Sequence, residues 1–537
     1  MNIFDKPLTS GPFRFDDGKA AIQGSIEKIP GGHRISGTLR GRAGRVEIFR
    51  APAPAEFLMN NWQSWGPTQK MKAGQKLDGL AERMAAYSRF VFSPVPDAAL
   101  DHLLSDYVIA WDGGLAGFTS SRVAHPYFAF EGGEIAGYLE YFDTPFDQPV
   151  PLEPLIILGG ASVETLLETY ADLAAAENGV RVRAWNPVGW SSWYQYFTNL
   201  TMGDIEKNLG LAREIAPFEV FQIDDGYERD IGDWLDMKAG FPGLADLAGL
   251  IRGHGFRPGL WTAPTSVAAT SRILAGHPDW IVRENGAPKL CYRNWGKEIF
   301  TLDTAHPEAK AWMFETFAAL KRLGFEYFKI DFLFAGAMPG DRRRRATPIQ
   351  AYREGLSVIR EAVGGDFVLG CGAPLLPSLG FVDGMRVGED TAPFWDSRMS
   401  GIQGPNAFIA LRNPILRWFM HRRWWLNDPD CLLLRDRDIA LSANERALYA
   451  RAAGVLDAMI IDSDDLALVS EEGRALLREA ISLQGGRPHV HGVLGDDAYL
   501  LSSTGGPAGN VRLAANLSDE IQMIAGAAVP PRTGIFI

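Results

Sequence analysis

The first 160 residues break into short apolar runs such as Arg45-Val46-Glu47-Ile48-Phe49 and Ala136-Gly137-Tyr138-Leu139-Glu140-Tyr141-Phe142, each bounded by Gly, Pro or Asp. Runs of that length and texture are strands of antiparallel sheets, and they predict a β-sandwich over residues 1–160. The period then lengthens. Ser162 stands at an N-cap position, and Leu166, Leu167, Tyr170 and Leu173 recur at helical spacing, so a linking helix is predicted within 161–182.

After Asn186-Pro187 strand-like and helix-like stretches alternate. Candidate strands are Val188–Trp193, Val220–Asp224, Arg257–Trp261, Tyr327–Phe332, Phe367–Gly370, Met385–Asp390, Trp424–Asp428 and Val455–Ile461. The clearest helix between them is Pro307–Leu323, where Pro at the first turn precedes Met313, Phe317 and Leu320. Eight strands alternating with helices predict an α/β architecture, a TIM (β/α)8 barrel over 183–474. The longest insertion follows the third strand, runs through Asn294-Trp295 and is expected to wall the cleft. From about residue 475 short alternating runs such as Ala498–Ser503 return, predicting a small antiparallel β domain over 475–537.

Composition narrows the function. The formal net charge of -12 argues against nucleic-acid partners, whose affinity rests on Lys and Arg neutralising phosphates. The one basic run, Arg342 to Arg345, reads as a solvated loop. Three distant cysteines, Cys291, Cys371 and Cys431, suggest neither a disulfide framework nor a zinc knuckle. No stretch is apolar enough to span a membrane and the start lacks a leader pattern, so a cytoplasmic protein without membrane partners is expected. The oligomeric state is not legible. Fifteen Trp, many beside glycine or polar residues, suit a sugar cleft, because a pyranose offers a C–H face to stack and hydroxyls to bond.

In such a barrel, catalytic groups stand where an apolar strand ends in polar residues. The fourth strand does so at Lys329-Ile330-Asp331. Alternation puts Lys329 and Asp331 on one face, where the cation is expected to keep the carboxylate ionised and nucleophilic. The sixth strand ends Arg386-Val387-Gly388-Glu389-Asp390, with Arg386, Gly388 and Asp390 on one face and the rival acid Glu389 turned away. Two carboxylates facing one cleft satisfy the requirement for glycoside hydrolysis. The second strand ends Asp224-Asp225, an acid pair able to accept from neighbouring sugar hydroxyls. A metal is the competing reading of that pair. It lacks support, because no His accompanies the pair and the only His-X-His, His489 to His491, lies beyond the barrel. Trp190, Trp193, Tyr194 and Trp261 on the first and third strands could wall the pocket, although core packing competes for Trp190.

Eight segments in order resemble the family 36 glycoside hydrolases, mostly α-galactosidases of the melibiase type: GWSSWYQYF at Gly189, QIDDGY at Gln222, LWTAP at Leu260, LDTAHP at Leu302, KIDF at Lys329, GCGAP at Gly370, MRVGEDTAP at Met385 and NDPDC at Asn427. Asn61-Trp62-Gln63-Ser64-Trp65 resembles the family's N-terminal motif. The resemblance implies a retaining α-galactosidase with Asp331 as nucleophile and Asp390 as general acid and base. Asp224 and Asp225 would bind the C4 and C6 hydroxyls, and Lys329, Arg386, Cys371, Trp193, Tyr194, Trp261 and Trp65 would line the sugar subsite. No metal or organic cofactor is implied, and the partner is a small or oligosaccharide substrate. Ser191 and Glu389 stand where cysteine and proline are common in the family. Rival readings are another α-glycosidase specificity (α-N-acetylgalactosaminidase or α-glucosidase-like), a raffinose-synthase-type transglycosylase and a non-catalytic sugar-binding protein.

Overall fold

The computed structural model describes residues 10–75, 92–95, 103–396 and 404–537. At its centre eight parallel strands form a nearly closed barrel: β1 (Val188–Ser191), β2 (Val220–Ile223), β3 (Arg257–Thr262), β4 (Tyr327–Ile330), β5 (Phe367–Gly370), β6 (Gly384–Arg386), β7 (Leu426–Asp428) and β8 (Ile460–Asp462). Neighbours pair in chain order, and β8 pairs with β1. The gap between β7 and β8 is bridged by Met459 N–H donating to the Asn427 carbonyl at 2.9 Å and by a parallel bridge between Leu432 and Asp462.

Alternation along the strands fills the barrel in layers. Val220, Tyr327, Phe367, Leu369, Leu426 and Met459 form one buried cluster, with Tyr327 and Phe367 stacked at 5.0 Å and Val182 and Trp185 of the linker packed against it. Two or four residues further along the same strands come Gln222, Asp224, Lys329, Cys371 and Asp428, joined by Arg386 at the end of β6, all buried. An apolar plug thus carries a polar layer at the C-terminal ends, where barrel enzymes place their chemistry.

Two antiparallel sheets precede the barrel, one running from the Gly11–Asp16 edge and the other combining Arg45–Pro52, Glu134–Glu140, His125–Glu131 and Leu103–Asp106. The helix Val163–Asn178 links them to the barrel, and Ser162 caps it by accepting from Thr165 N–H. The helix Pro307–Arg322 has its proline in the first turn, as its sequence predicts. At the C-terminus Arg487–His491, Ala498–Gly506, Gly509–Asn516 and Thr533–Phe536 form an antiparallel sheet, and a helix, Glu471–Ser482, runs across the position where the sequence divides barrel from tail. Among the described residues no helix is long and apolar enough to cross a membrane.

The structure corrects four expectations. Strand β1 stops at Ser191 and Trp193–Tyr196 is a helical turn. Strand β6 stops at Arg386. Residue Val455 ends a helix, Ala443–Val455, and the last strand begins only at Ile460; an apolar run of that length does not distinguish a buried helix end from a strand. Arg342 is not part of a solvated loop: its side chain is buried and paired with Asp303 at 3.3 Å, while Arg343, Arg344 and Arg345 are exposed.

Candidate active site

The C-terminal ends of the strands open into a cavity of about 290 Å³, lined by Asp224, Asp225, Trp261, Lys329, Asp331, Asp390, Trp65 and Trp193 among others. That is the small end of the range for ligand pockets, roughly 300–1,000 Å³, and suits one sugar ring better than a polymer. The two acids that the sequence singles out stand at different depths. The Asp331 residue is 7% exposed, whereas the Asp390 side chain is 34% exposed.

Asp331 directly follows β4. Its carboxylate accepts from Trp261 Nε1 at 3.0 Å and from the backbone N–H of Phe332 at 2.7 Å. Phe332 adopts a left-handed conformation, φ 50°, which costs a bulky residue about 1–3 kcal/mol and is tolerated where surroundings enforce it. Its ring sits among Trp65, Trp261, Tyr292 and Trp295, at centroid distances of 4.9 to 6.5 Å. Burial pushes the Asp331 carboxyl above its ordinary value and Asp390 adds to the shift, against the pull of Lys329, Cys371 and Trp261.

Lys329 does not pair directly with Asp331. Its Nζ lies 2.8 Å from Asp224 Oδ2, just past the end of β2 and across β3, and that oxygen also accepts from Gln222 Nε2 at 2.5 Å. Burial opposes the Lys329 charge, but Asp224 and the other acids outweigh it and hold the ammonium protonated. Asp225 is different. Trp295 Nε1 donates to its Oδ2 at 2.7 Å, and its Oδ1 is buried without a hydrogen-bond partner. Burial, then the Glu228 carboxyl, push Asp225 up to about 9, so at neutral pH it can donate a hydrogen bond to a hydroxyl as well as accept one.

Trp295 reaches Asp225 from the insertion after β3, where strands Leu290–Asn294 and Lys297–Thr301 join through a two-residue turn. Both turn residues, Trp295 and Gly296, have positive φ (53° and 67°), as a tight hairpin turn requires. The insertion supplies Tyr292, Asn294 and Trp295 to the cavity wall.

On the other side Arg386 binds Asp390 Oδ1 at 2.5 Å and Asp430 Oδ2 at 2.9 Å. Asp430 also accepts from Thr391 N–H at 2.7 Å and from the Tyr194 hydroxyl. Burial pushes Asp430 up to about 6, with Arg386 pulling it down and Asp390 and Asp428 pushing it up. Lys329 and Arg386 are thus two cations among several close carboxylates, which resists full ionisation of all of them.

Not every anticipated residue reaches the cavity. Tyr194, Cys371 and Arg386 are buried behind the wall: Arg386 binds Asp390, which lines the cavity, and the buried Asp430, which Tyr194 also holds, while Cys371 Sγ accepts from the lining Trp65 through its Nε1 at 3.4 Å. Trp190 is core, stacked on Phe221 at 4.2 Å. Conversely Glu389, which the sequence turns away, lines the cavity with Asp390, because the alternation ends with β6 at Arg386. Trp295 and Asp430 make contacts that alternation within single strands does not reveal. The three cysteines are free and buried, and among the described residues no group of three or more His, Cys, Asp or Glu is arranged to hold a metal ion.

Residues 25–159 match the family described as alpha-galactosidase, N-terminal, and residues 171–352 match melibiase. The α-galactosidase of Thermus thermophilus in complex with p-nitrophenyl α-D-galactopyranoside is similar in structure over 91% of this chain and 98% of its own, with 28% identity and a TM-score of 0.73. The family 36 α-galactosidase AgaA of Geobacillus stearothermophilus shares the fold over 100% of this chain and 87% of its own, at 14% identity and a TM-score of 0.64. Among curated relatives, the bifunctional alpha-galactosidase/sucrose kinase AgaSK of Mediterraneibacter gnavus is 27% identical over 153 residues, 26% of this chain and only 15% of that protein. With both family descriptions matched in order and a near full-length structural counterpart, the chain belongs to the melibiase-type glycoside hydrolases.

Proposed function

We propose that the chain is a retaining α-galactosidase in which Asp331 is the nucleophile and Asp390 the general acid and base. The observation that carries this reading is the placement of both carboxylates on one small cavity, Asp331 deep and Asp390 towards its opening. A terminal sugar entering that cavity offers its anomeric carbon to the deep group and its leaving oxygen to the outer one. The oxygen of Asp331 attacks the anomeric carbon as the bond to the leaving oxygen breaks, and Asp390 gives that oxygen its proton. Asp390, now ionised, takes a proton from water as the water displaces Asp331, and the product regains the α configuration. Asp224 and Asp225 would take the C4 and C6 hydroxyls, Asp224 as an acceptor held by Lys329 and Asp225 as a protonated acid.

Proton NMR of the reaction on an aryl α-galactoside tests the proposal in one measurement. The first-formed sugar is expected to be α-galactose; β-galactose appearing first would exclude retention, and no turnover would exclude the activity.

The raised Asp331 pKa sets a second expectation. A nucleophile works ionised, so activity is full above its pKa and lost as pH falls through it. The acid limb of kcat/KM should therefore lie above 3.8, the ordinary aspartate value. Trp261→Phe removes a donor that favours the ionised form, and the limb should move to higher pH. A limb that stays in place would show that another group governs it.

A further inference from the structure

Arg417, immediately after the helix Ala407–Leu416, is 0% exposed. Its guanidinium donates to four acceptors, all neutral. Nε reaches the side-chain oxygen of Asn60 at 2.9 Å; one terminal nitrogen reaches the carbonyls of Ser64 at 2.7 Å and Val387 at 2.9 Å; the other reaches the carbonyl of Gly66 at 3.0 Å. Ser64 and Gly66 flank Trp65, and Val387 lies in the segment that leads to Glu389 and Asp390. The backbone of Arg417 is itself held, with its carbonyl accepting from Asn427 Nδ2 on β7 at 3.0 Å.

A buried cation satisfied only by dipoles is a costly way to fill space. What it supplies is geometry: five N–H groups in one rigid plane can hold separate chain segments at once. The segments held here come from two parts of the fold. The loop Asn61–Gly66 leaves the N-terminal sandwich and enters the barrel mouth, where Ser64 N–H donates to the Ala373 carbonyl at 2.9 Å and Trp65 packs edge-on to Phe332 at 4.9 Å. The Val387 segment belongs to the barrel, where Val387 N–H donates to the Asp428 carbonyl at 3.0 Å.

We propose that Arg417 is a positioning residue for the reaction, fixing the Trp65 loop of the sandwich and the Asp390 segment of the barrel in one register, so that aromatic wall and proton donor address the same bound sugar. The inference rests on Asp390 being the proton donor. It predicts a selective defect, because a displaced donor harms only leaving groups that need a proton.

Arg417→Lys keeps the charge but cannot span all the acceptors. The experiment compares kcat/KM for α-galactosyl fluoride, whose fluoride departs with little help, and for methyl α-galactoside, whose methoxide needs protonation. In Arg417→Lys the methyl substrate should lose roughly 10-fold or more beyond any loss on the fluoride, since small displacements of a catalytic group have effects of that order. Asn60→Ala, which removes a single acceptor and leaves the guanidinium in place, should show the same preference at smaller size, and it carries the test if Arg417→Lys does not fold. A role confined to stability would lower both substrates by one factor, and equal losses, or none, in the folded variants overturn the proposal. Wild-type protein inactive on both substrates would instead overturn the assignment of function on which it rests.

Discussion

Asp331→Ala is expected to lower kcat on an aryl α-galactoside by roughly 10⁴-fold or more while leaving galactose affinity within a few fold, because a nucleophile contributes to the transition state and little to ground-state binding. The lost carboxylate also leaves Trp261 Nε1 and Phe332 N–H without their acceptor, so Asp331→Asn, of equal shape, separates chemistry from local collapse and should be as inactive. Azide supplies a further arm. In the space left by alanine, that small anion can attack the anomeric carbon from the side where Asp331 stood, and β-galactosyl azide should accumulate. Either variant turning over near the wild-type rate would remove Asp331 from the nucleophile's role.

Asp390→Ala should produce the next largest effect, and an uneven one. General acid catalysis is worth on the order of 10²–10⁴-fold, so alkyl galactosides should lose about that much while substrates with strongly acidic leaving groups lose far less in the glycosylation step. Arg386 keeps Asp430 as a partner at 2.9 Å when Asp390 is removed, so the buried guanidinium is not stranded. Glu389→Ala provides the contrast, because Glu389 lines the same cavity and is the rival acid. Should Glu389→Ala show the uneven loss and Asp390→Ala an even one, the two residues exchange roles.

Much of the site was legible because strands repeat every two residues. That period places Lys329 and Asp331 towards the cavity they both line, and brings Asp224 to the same opening. It fails where the strand ends. Beyond Arg386 the chain no longer alternates, and Glu389 joins Asp390 in the wall; beyond Ile330 the left-handed turn at Phe332 brings in a ring that strict alternation sends elsewhere. Contacts between strands were beyond reach for another reason. The pairing of Lys329 with Asp224 and not Asp331 depends on the register of β2, β3 and β4 around the barrel, which single-strand patterns do not contain. The Trp295 contact to Asp225 likewise depends on how far a hairpin folds back. The aromatic insertion could be anticipated as a wall, but its hydrogen bond could not.

The stacked Tyr327 and Phe367 rings and the aliphatic side chains around them close the barrel from beneath. Among the described residues the chamber is closed at its base, so under the proposed reaction nothing leaves along the barrel axis and the outer fragment would depart before the inner one. Free monosaccharide would then obstruct newcomers by occupying the same dead end, and long chains could be shortened only from their tips.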